Sequence, residues 1–388
     1  MRIQLPAHRQ IFAAFAVYAF ALGNFFPRLP EIKSGMGVGE GALGLALMGH
    51  AVGTLVALTF AGPILARVGH RRALLVMTPL LAVFFAIASF APTPLMLFAL
   101  LIPAGLMIGS IEVMINVEAD RTEASVGFGI MNRCHAFWSI GFGVAGLFGA
   151  LMARVGISVQ LHLGIVIVLT AAGIWMLLQD FQPAKGRSTD STDPSPLVAV
   201  PTRPIMILVA ISLSAMLMEG AYIDWSAIYM TSVFTSHPFV GGLAVATGAF
   251  SQAAVRYYTD GFVTRYSPTA VARVLICCMA AGVLVVLVAP TQGIALVGFA
   301  LIGAGASALF PLTMSAAAQR TDRAAAINVA ALAQFSFMAF LVGPPLLGFV
   351  AEHFGLRATF GVGLPLIALS FVLSGALGSK PQGQTSTT

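Results

Sequence analysis

Charge is what this sequence has least of. Of its 388 residues, 20 are Lys or Arg and 14 are Asp or Glu, so 9% are charged against 58% hydrophobic, and the mean hydropathy is +0.93. A soluble domain carries roughly 25% charge. Too few polar side chains are present to cover a water-facing surface, which points to a polytopic membrane protein. The net charge of +6 does not indicate nucleic acid, because the basic residues sit in short loops between apolar runs. Cysteine is equally sparse. Cys134, Cys277 and Cys278 all lie in apolar runs, with no pattern of a disulfide framework or zinc site, and read as small core residues. No Ser–His–Asp order, phosphate loop or metal-ligand spacing is present, so the sequence implies no enzyme, no cofactor and no metal. Two membrane histidines would suit a haem only with a second pair or an attachment motif, and neither is found.

What is abundant is long apolar sequence. A bilayer span needs about 20 mostly apolar residues. Twelve segments qualify, near 10–28, 41–65, 73–91, 95–118, 128–152, 159–179, 205–230, 240–263, 270–289, 293–317, 325–350 and 357–377. The N-terminal "MRIQLPAHRQ" runs into the first of them without a small-residue cleavage site, so that segment reads as a span and not as a removed signal. Glycine inside these runs fits close helix packing in a membrane. The polar stretch Gln182–Pro204, rich in Ser, Thr, Pro and Asp, reads as a flexible linker. It splits the chain into six spans (1–181) and six spans (205–388, with a short disordered tail).

An even span number puts both termini on one side. With cytoplasmic termini, only Arg28, Lys33, Arg154 and Arg357 of the 20 basic residues fall outside, and the other 16 fall inside. That bias predicts a multi-pass inner-membrane protein with cytoplasmic termini.

The two halves repeat each other. "APT" occurs at 91–93 and again at 289–291; "RTE" at 121–123 matches "RTD" at 320–322. Gly105 pairs with Gly303, Gly149 with Gly348, and "RVGI" at 154–157 with "HFGL" at 353–356. The constant offset of 198–199 indicates an internal duplication. Two parallel six-helix halves around a central site form a transporter plan.

The segment "GPILARVGHRRALL", Gly62–Leu75, resembles the signature loop between the second and third helices of the major facilitator superfamily, with Gly62, Arg67, Gly69, Arg71 and Arg72 matching. Ala66 replaces the family's usual Asp. "RYYTDGFVTRYSP" is similar to a degenerate second copy, in which Arg256, Asp260 and Arg265 fit. The resemblance covers nearly the whole chain. It implies an all-α fold of twelve transmembrane helices in two pseudo-symmetric six-helix bundles, with these loops acting as gates. Arg67, Arg71 and Arg72 read equally as positive-inside anchors. "AGLMIGSIEVMIN" followed by "NRCHAFWSIG" is similar to helices four and five of the fucose–proton symporter branch, and other segments resemble an uncharacterised bacterial inner-membrane group near it. In that branch a Glu on helix four carries the coupled proton, and Glu112 matches it. The assisting Asp on helix one has no counterpart in "LGNFFPRLPEI".

Glu112 is the only charge between Leu95 and Val117. A charge at membrane depth costs roughly 2.5–3.5 kcal/mol on insertion scales. Two readings stand: a protonatable carboxyl used in coupling, or a Glu tied into a helix interface. Asn116, four residues on, shares its face. Glu118 reads as the polar end of the helix. His135 and Trp138, three apart on the fifth span, offer a proton or hydrogen-bond relay and a flat apolar surface, or ordinary packing. His50 lies among small residues in mid-span. On the seventh span Glu219 shares a face with Tyr222 and is the second candidate proton site; Asp224 is nearer the outer end. Arg28, between Pro27 and Pro30, is a partner for one of these acids or an interface marker.

The sequence thus predicts a monomeric secondary active transporter, working with protons, a small organic solute and the lipid bilayer. Alternatives are an exporter of drugs or aromatic metabolites and a transporter-like solute sensor. The topology is directly testable. A reporter fused within 182–204 is expected in the cytoplasm and one near Pro92 in the periplasm; the reverse labelling overturns the orientation.

Overall fold

The computed structural model describes residues 5–60, 68–184 and 199–378. Among these, twelve helices are long and apolar enough to cross a bilayer: α1 (Ala7–Met36), α2 (Glu40–Phe60), α3 (His70–Ala88), α4 (Pro94–Val126), α5 (Met131–Arg154), α6 (Val159–Leu178), α7 (Arg203–Val233), α8 (Pro238–Arg265), α9 (Pro268–Val288), α10 (Gln292–Ala318), α11 (Ile327–Phe354) and α12 (Leu356–Leu377). The number and order match the sequence reading. Two spans are longer than hydropathy alone indicates. α1 continues through a 3-10 turn at Phe26–Arg28 into Leu29–Met36 and stops at Gly37, whose φ of 66° ends the helix. α4 carries the polar "EADRTEASV" as extra helical turns and stops at Gly127, φ 77°. Left-handed glycines end both helices because such a backbone carries no Cβ penalty there.

The duplication is visible in how helices begin and touch. Thr93 and Thr291, the last residues of the two "APT" copies, each cap the following helix, accepting from Met96 N (3.3 Å) and Ile294 N (3.5 Å). Gly105 of α4 lies against the His50 carbonyl of α2, and Gly303 of α10 against the Gly248 carbonyl of α8. Both members of this pair are offset by 198.

Two seams join the first six helices to the last six, α5 along α8 and α2 along α11. They too are equivalent at that offset. Gly242 of α8 packs on Gly146 and Ala150 of α5; Gly44 of α2 packs on Pro344 and Gly348 of α11. A Cβ on Gly44 would collide with the Pro344 carbonyl oxygen, and one on Gly242 would stand 2.6 Å from the Ala150 Cβ. Only glycine permits backbones this close. These contacts lie toward the face opposite the chain termini. There Gly41 N also donates to Glu352 of the other half at 2.8 Å, so the two halves are zipped together at that face.

The stretch read as a linker is described only at its ends, and 185–198 and the tail from 379 lie outside the described residues. Ala184 N donates to Glu118 (3.1 Å) and Ala199 N to Gln334 (3.0 Å), so the two ends attach to different halves.

Candidate functional site

One set of interior polar groups gathers around two carboxyls, one from each half. On α4, Asn116 sits one turn beyond Glu112 and folds back on it. Its amide donates to the Glu112 carbonyl (2.9 Å) and to the carboxyl Oε2 (3.0 Å). The other carboxyl oxygen accepts from the Tyr18 hydroxyl of α1 at 3.0 Å. Both donors are neutral.

Glu219 of α7 is held differently. Its Oε1 accepts from Gln252 Nε2 (2.7 Å) and from the Arg256 guanidinium (3.4 Å), both on α8. Arg256 also donates to Ser139 of α5 (2.8 Å) and to the Ser307 carbonyl of α10 (2.9 Å). That carbonyl is available for a local reason. Pro311, four residues on, has no N–H to return to it, and the helix breaks between Ala306 and Leu309. Gln252 Oε1 in turn accepts from Ser139 (3.1 Å) and Tyr222 (3.3 Å). The cluster spans both halves, since Ser139 belongs to the first and the rest to the second. Glu112 lies within electrostatic reach of both Arg256 and Glu219.

Aromatic groups border the cluster. The Arg256 guanidinium stands 5.9 Å from the Trp138 ring centre, and Trp138 stacks on Phe142 at 5.1 Å. The Trp138 indole N–H is buried without a hydrogen-bond partner among the described residues. His135 leans the other way, edge-on to Phe15 of α1 at 5.3 Å. So α5 carries both predicted residues into the middle but sends them to different neighbours.

The remaining predicted site residues lie apart. His50 sits in the α2–α4 contact, with Nε2 unpartnered among the described residues and its ring edge-on to Phe26 at 6.4 Å. Asp224 is buried at 3% exposure and carries no hydrogen bond among the described residues. Arg28 is fully buried but does not meet Glu219 or Asp224. It forms a two-pronged pair with Glu31 (2.5 and 2.7 Å), donates to the Ile157 carbonyl (2.8 Å) and contacts His162 Nδ1 (3.2 Å). Its hydrogen bonds tie the bend of α1 to the start of α6.

The loop motifs also separate. Gly62 and Arg67 lie outside the described residues. Gly69, φ 81°, precedes α3, and Arg71 donates to the Gln179 carbonyl at the end of α6, while Arg72 is exposed. Arg256 was expected in the second loop motif, yet it is a buried mid-helix residue. α8 runs on to Arg265, so Arg256 stands nine residues, about 13 Å, inside the helix end. Asp260 accepts from Asn132 across the α5–α8 seam, and Arg265 lies 5.5 Å from the Tyr266 ring centre. Glu118 is not a frayed helix end either. It is buried with His70 and Arg121 around it, because α4 continues past it.

Tyr18, Gln252, Ser139 and Ser307 were not singled out by sequence. Tyr18 had one legible signal, a phenol in the middle of an apolar span, which needs a partner when buried. Pro311 was the signal for Ser307.

The Glu219–Arg256 pair makes a stability prediction. Removing one partner of a buried pair strands the other charge and costs about 3–5 kcal/mol. Arg256→Met and Glu219→Met should each lower the unfolding midpoint in detergent, and the double change should recover most of the loss. Single variants as stable as the parent would show that the pair carries no such load.

Comparison with known proteins places this architecture. The chain is 30% identical over 381 residues to an uncharacterized transporter, y4wD, of Sinorhizobium fredii, covering 97% of this chain and 100% of that one. It is 26% identical to membrane protein MosC of Rhizobium meliloti, over 88% of this chain and 83% of that one. Among solved structures it is similar to a point mutant of the nucleoside transporter NupG, with TM-score 0.75, 15% identity and 96% and 99% coverage. It is also similar to FucP in the outward conformation, with TM-score 0.65, 15% identity and 96% and 98% coverage. The sequence pattern that defines the Major Facilitator Superfamily matches residues 11–337. The chain belongs to the Major Facilitator Superfamily of membrane transporters.

Proposed function

We propose that this chain is a proton-coupled secondary transporter of a small organic solute, set in the inner membrane with both termini cytoplasmic, and that Glu112 carries the proton. The observation that supports this assignment is the difference between the two carboxyls. Glu219 accepts a hydrogen bond from a guanidinium; among the described residues the side-chain donors to the Glu112 carboxyl are a phenol and an amide, with Arg256 acting on it only at longer range. An ionised carboxylate at bilayer depth without a cation is costly. Taking up a proton removes that cost at Glu112. The groups that hold Glu112 come from α1 and α4, and its charge is felt by Arg256 on α8. Its protonation state is thereby linked to the contact between the halves.

In this reading the bundles 1–181 and 205–388 rock around a midplane site between them. The glycine seams and the Glu352–Gly41 bond close the periplasmic side in this conformation. Arg256 and Ser139 bridge the halves at mid-depth, and that bridge must be remade as the bundles move. The groups offered to the solute are the Trp138 indole of α5 and the Asn116 amide of α4. A flat ring bearing hydroxyls suits an indole face and an amide, and the fold neighbours include a nucleoside transporter. The similarity to the fucose–proton symporter branch favours the same class.

The test is Glu112→Gln in proteoliposomes, assayed with labelled hexoses and nucleosides. The amide keeps the size of the side chain and loses titration. Accumulation driven by a pH gradient should fall to background while solute counterflow, which needs no deprotonation, persists. Accumulation that survives in Glu112→Gln but fails in Glu219→Gln would move the proton to α7.

A further inference from the structure

Away from the central cluster, the lipid-facing side of α9 is not smooth. Two grooves flank it, of about 570 and 510 Å³, and they share Val274 and Cys278 as a ridge. One lies between α8, α9 and α10, the other between α9, α10 and α12. Their walls are almost wholly apolar, and no Asp or Glu lines either. Along α9 one groove runs from Ala270 to Cys278 and the other from Arg273 to Ala281, about 12 Å each. Each fits within one leaflet, about half of a 30 Å hydrocarbon core.

The rim of this double groove is different in kind. It lies at the α8–α9 turn, on the side of the chain termini. Tyr258, Phe262 and Tyr266 stand there 62%, 53% and 54% exposed, as aromatic residues do at a membrane–water interface. Two arginines flank them. Arg265 stacks on Tyr266 at 5.5 Å, and Arg273 is exposed, fixed through Nε to Ser374 Oγ (3.0 Å) and over Phe371 (5.7 Å). A basic, aromatic rim above paired apolar channels that fit within one leaflet has the charge and shape of a two-chain anionic lipid.

We propose that the grooves flanking α9 bind one anionic diacyl phospholipid from the leaflet on the side of the chain termini, with an acyl chain in each groove and the phosphate at Arg265 and Arg273. The ridge of Val274 and Cys278 separates the two chains. The site touches α8, α9, α10 and α12 together, so an occupant braces four helices of the second half. It is independent of the solute and proton assignments above.

The experiment is native mass spectrometry of the full chain in neutral detergent with equimolar phosphatidylglycerol and phosphatidylcholine. The parent should retain one phosphatidylglycerol in preference to phosphatidylcholine. In Arg265→Gln/Arg273→Gln the ratio of the two lipids should fall at least fivefold. A second variant, Ala254→Trp/Ala281→Trp, fills the grooves and leaves the charges; it should lose both lipids while its lipid-free unfolding temperature stays at the parent's. Equal retention of the two lipids by the parent overturns the proposal, as does an unchanged ratio in the arginine variant. Inorganic phosphate that displaces the lipid at matched concentration shows a simple anion site and overturns it too. So does a dimer mass in place of the lipid-bound monomer.

Discussion

One guanidinium organises the interior of this protein. Arg256 reaches Glu219, Ser139 and the Ser307 carbonyl at once, so α5, α7, α8 and α10 meet at a single side chain. A lone cation at that depth would be costly. It is tolerated because an acid, a hydroxyl and a carbonyl freed by Pro311 receive it. This arrangement gives Glu219 the direct cation contact. Glu112 keeps neutral hydrogen-bond donors, and that asymmetry underlies the proposed coupling.

The duplicated scaffold and the polar centre obey different rules. Helix caps and glycine contacts recur at an offset of 198, as Thr93 with Thr291, Gly44 with Gly242 and Gly105 with Gly303 show. The charged centre does not. At the same offset Glu112 faces Phe310, Glu219 faces Ala21 and Arg256 faces Leu58. Backbone approach is a demand that both halves share, because each must pack its helices and meet the other. A charged site is needed once, at the junction, and each half contributes different side chains to it.

This division also explains what the sequence made legible. Twelve spans and the repeat rest on hydrophobic runs and turn residues, both of which are local. Glu112 stood out because it is alone in its span, and Asn116 because it is one turn away. Arg256 was read into the second loop motif from its spacing to Asp260 and Arg265, although it falls inside the 240–263 run. What it does there depends on partners elsewhere in the chain, Glu219 and Ser139. Tyr18, Gln252 and Ser307 were missed for the same reason: each matters through a neighbour distant in sequence. Arg28 looked functional from its isolation, yet Glu31 is only three residues on and satisfies it.

The central claim is that the titrating carboxyl belongs to α4. Infrared difference spectroscopy of the purified protein across a pH titration addresses it without knowledge of the solute. The account predicts a carboxyl C=O band that grows and fades with pH in the parent, is absent from Glu112→Gln, and persists in Glu219→Gln. A titrating band that survives in Glu112→Gln, whether Glu219→Gln or Asp224→Asn removes it, would contradict the account.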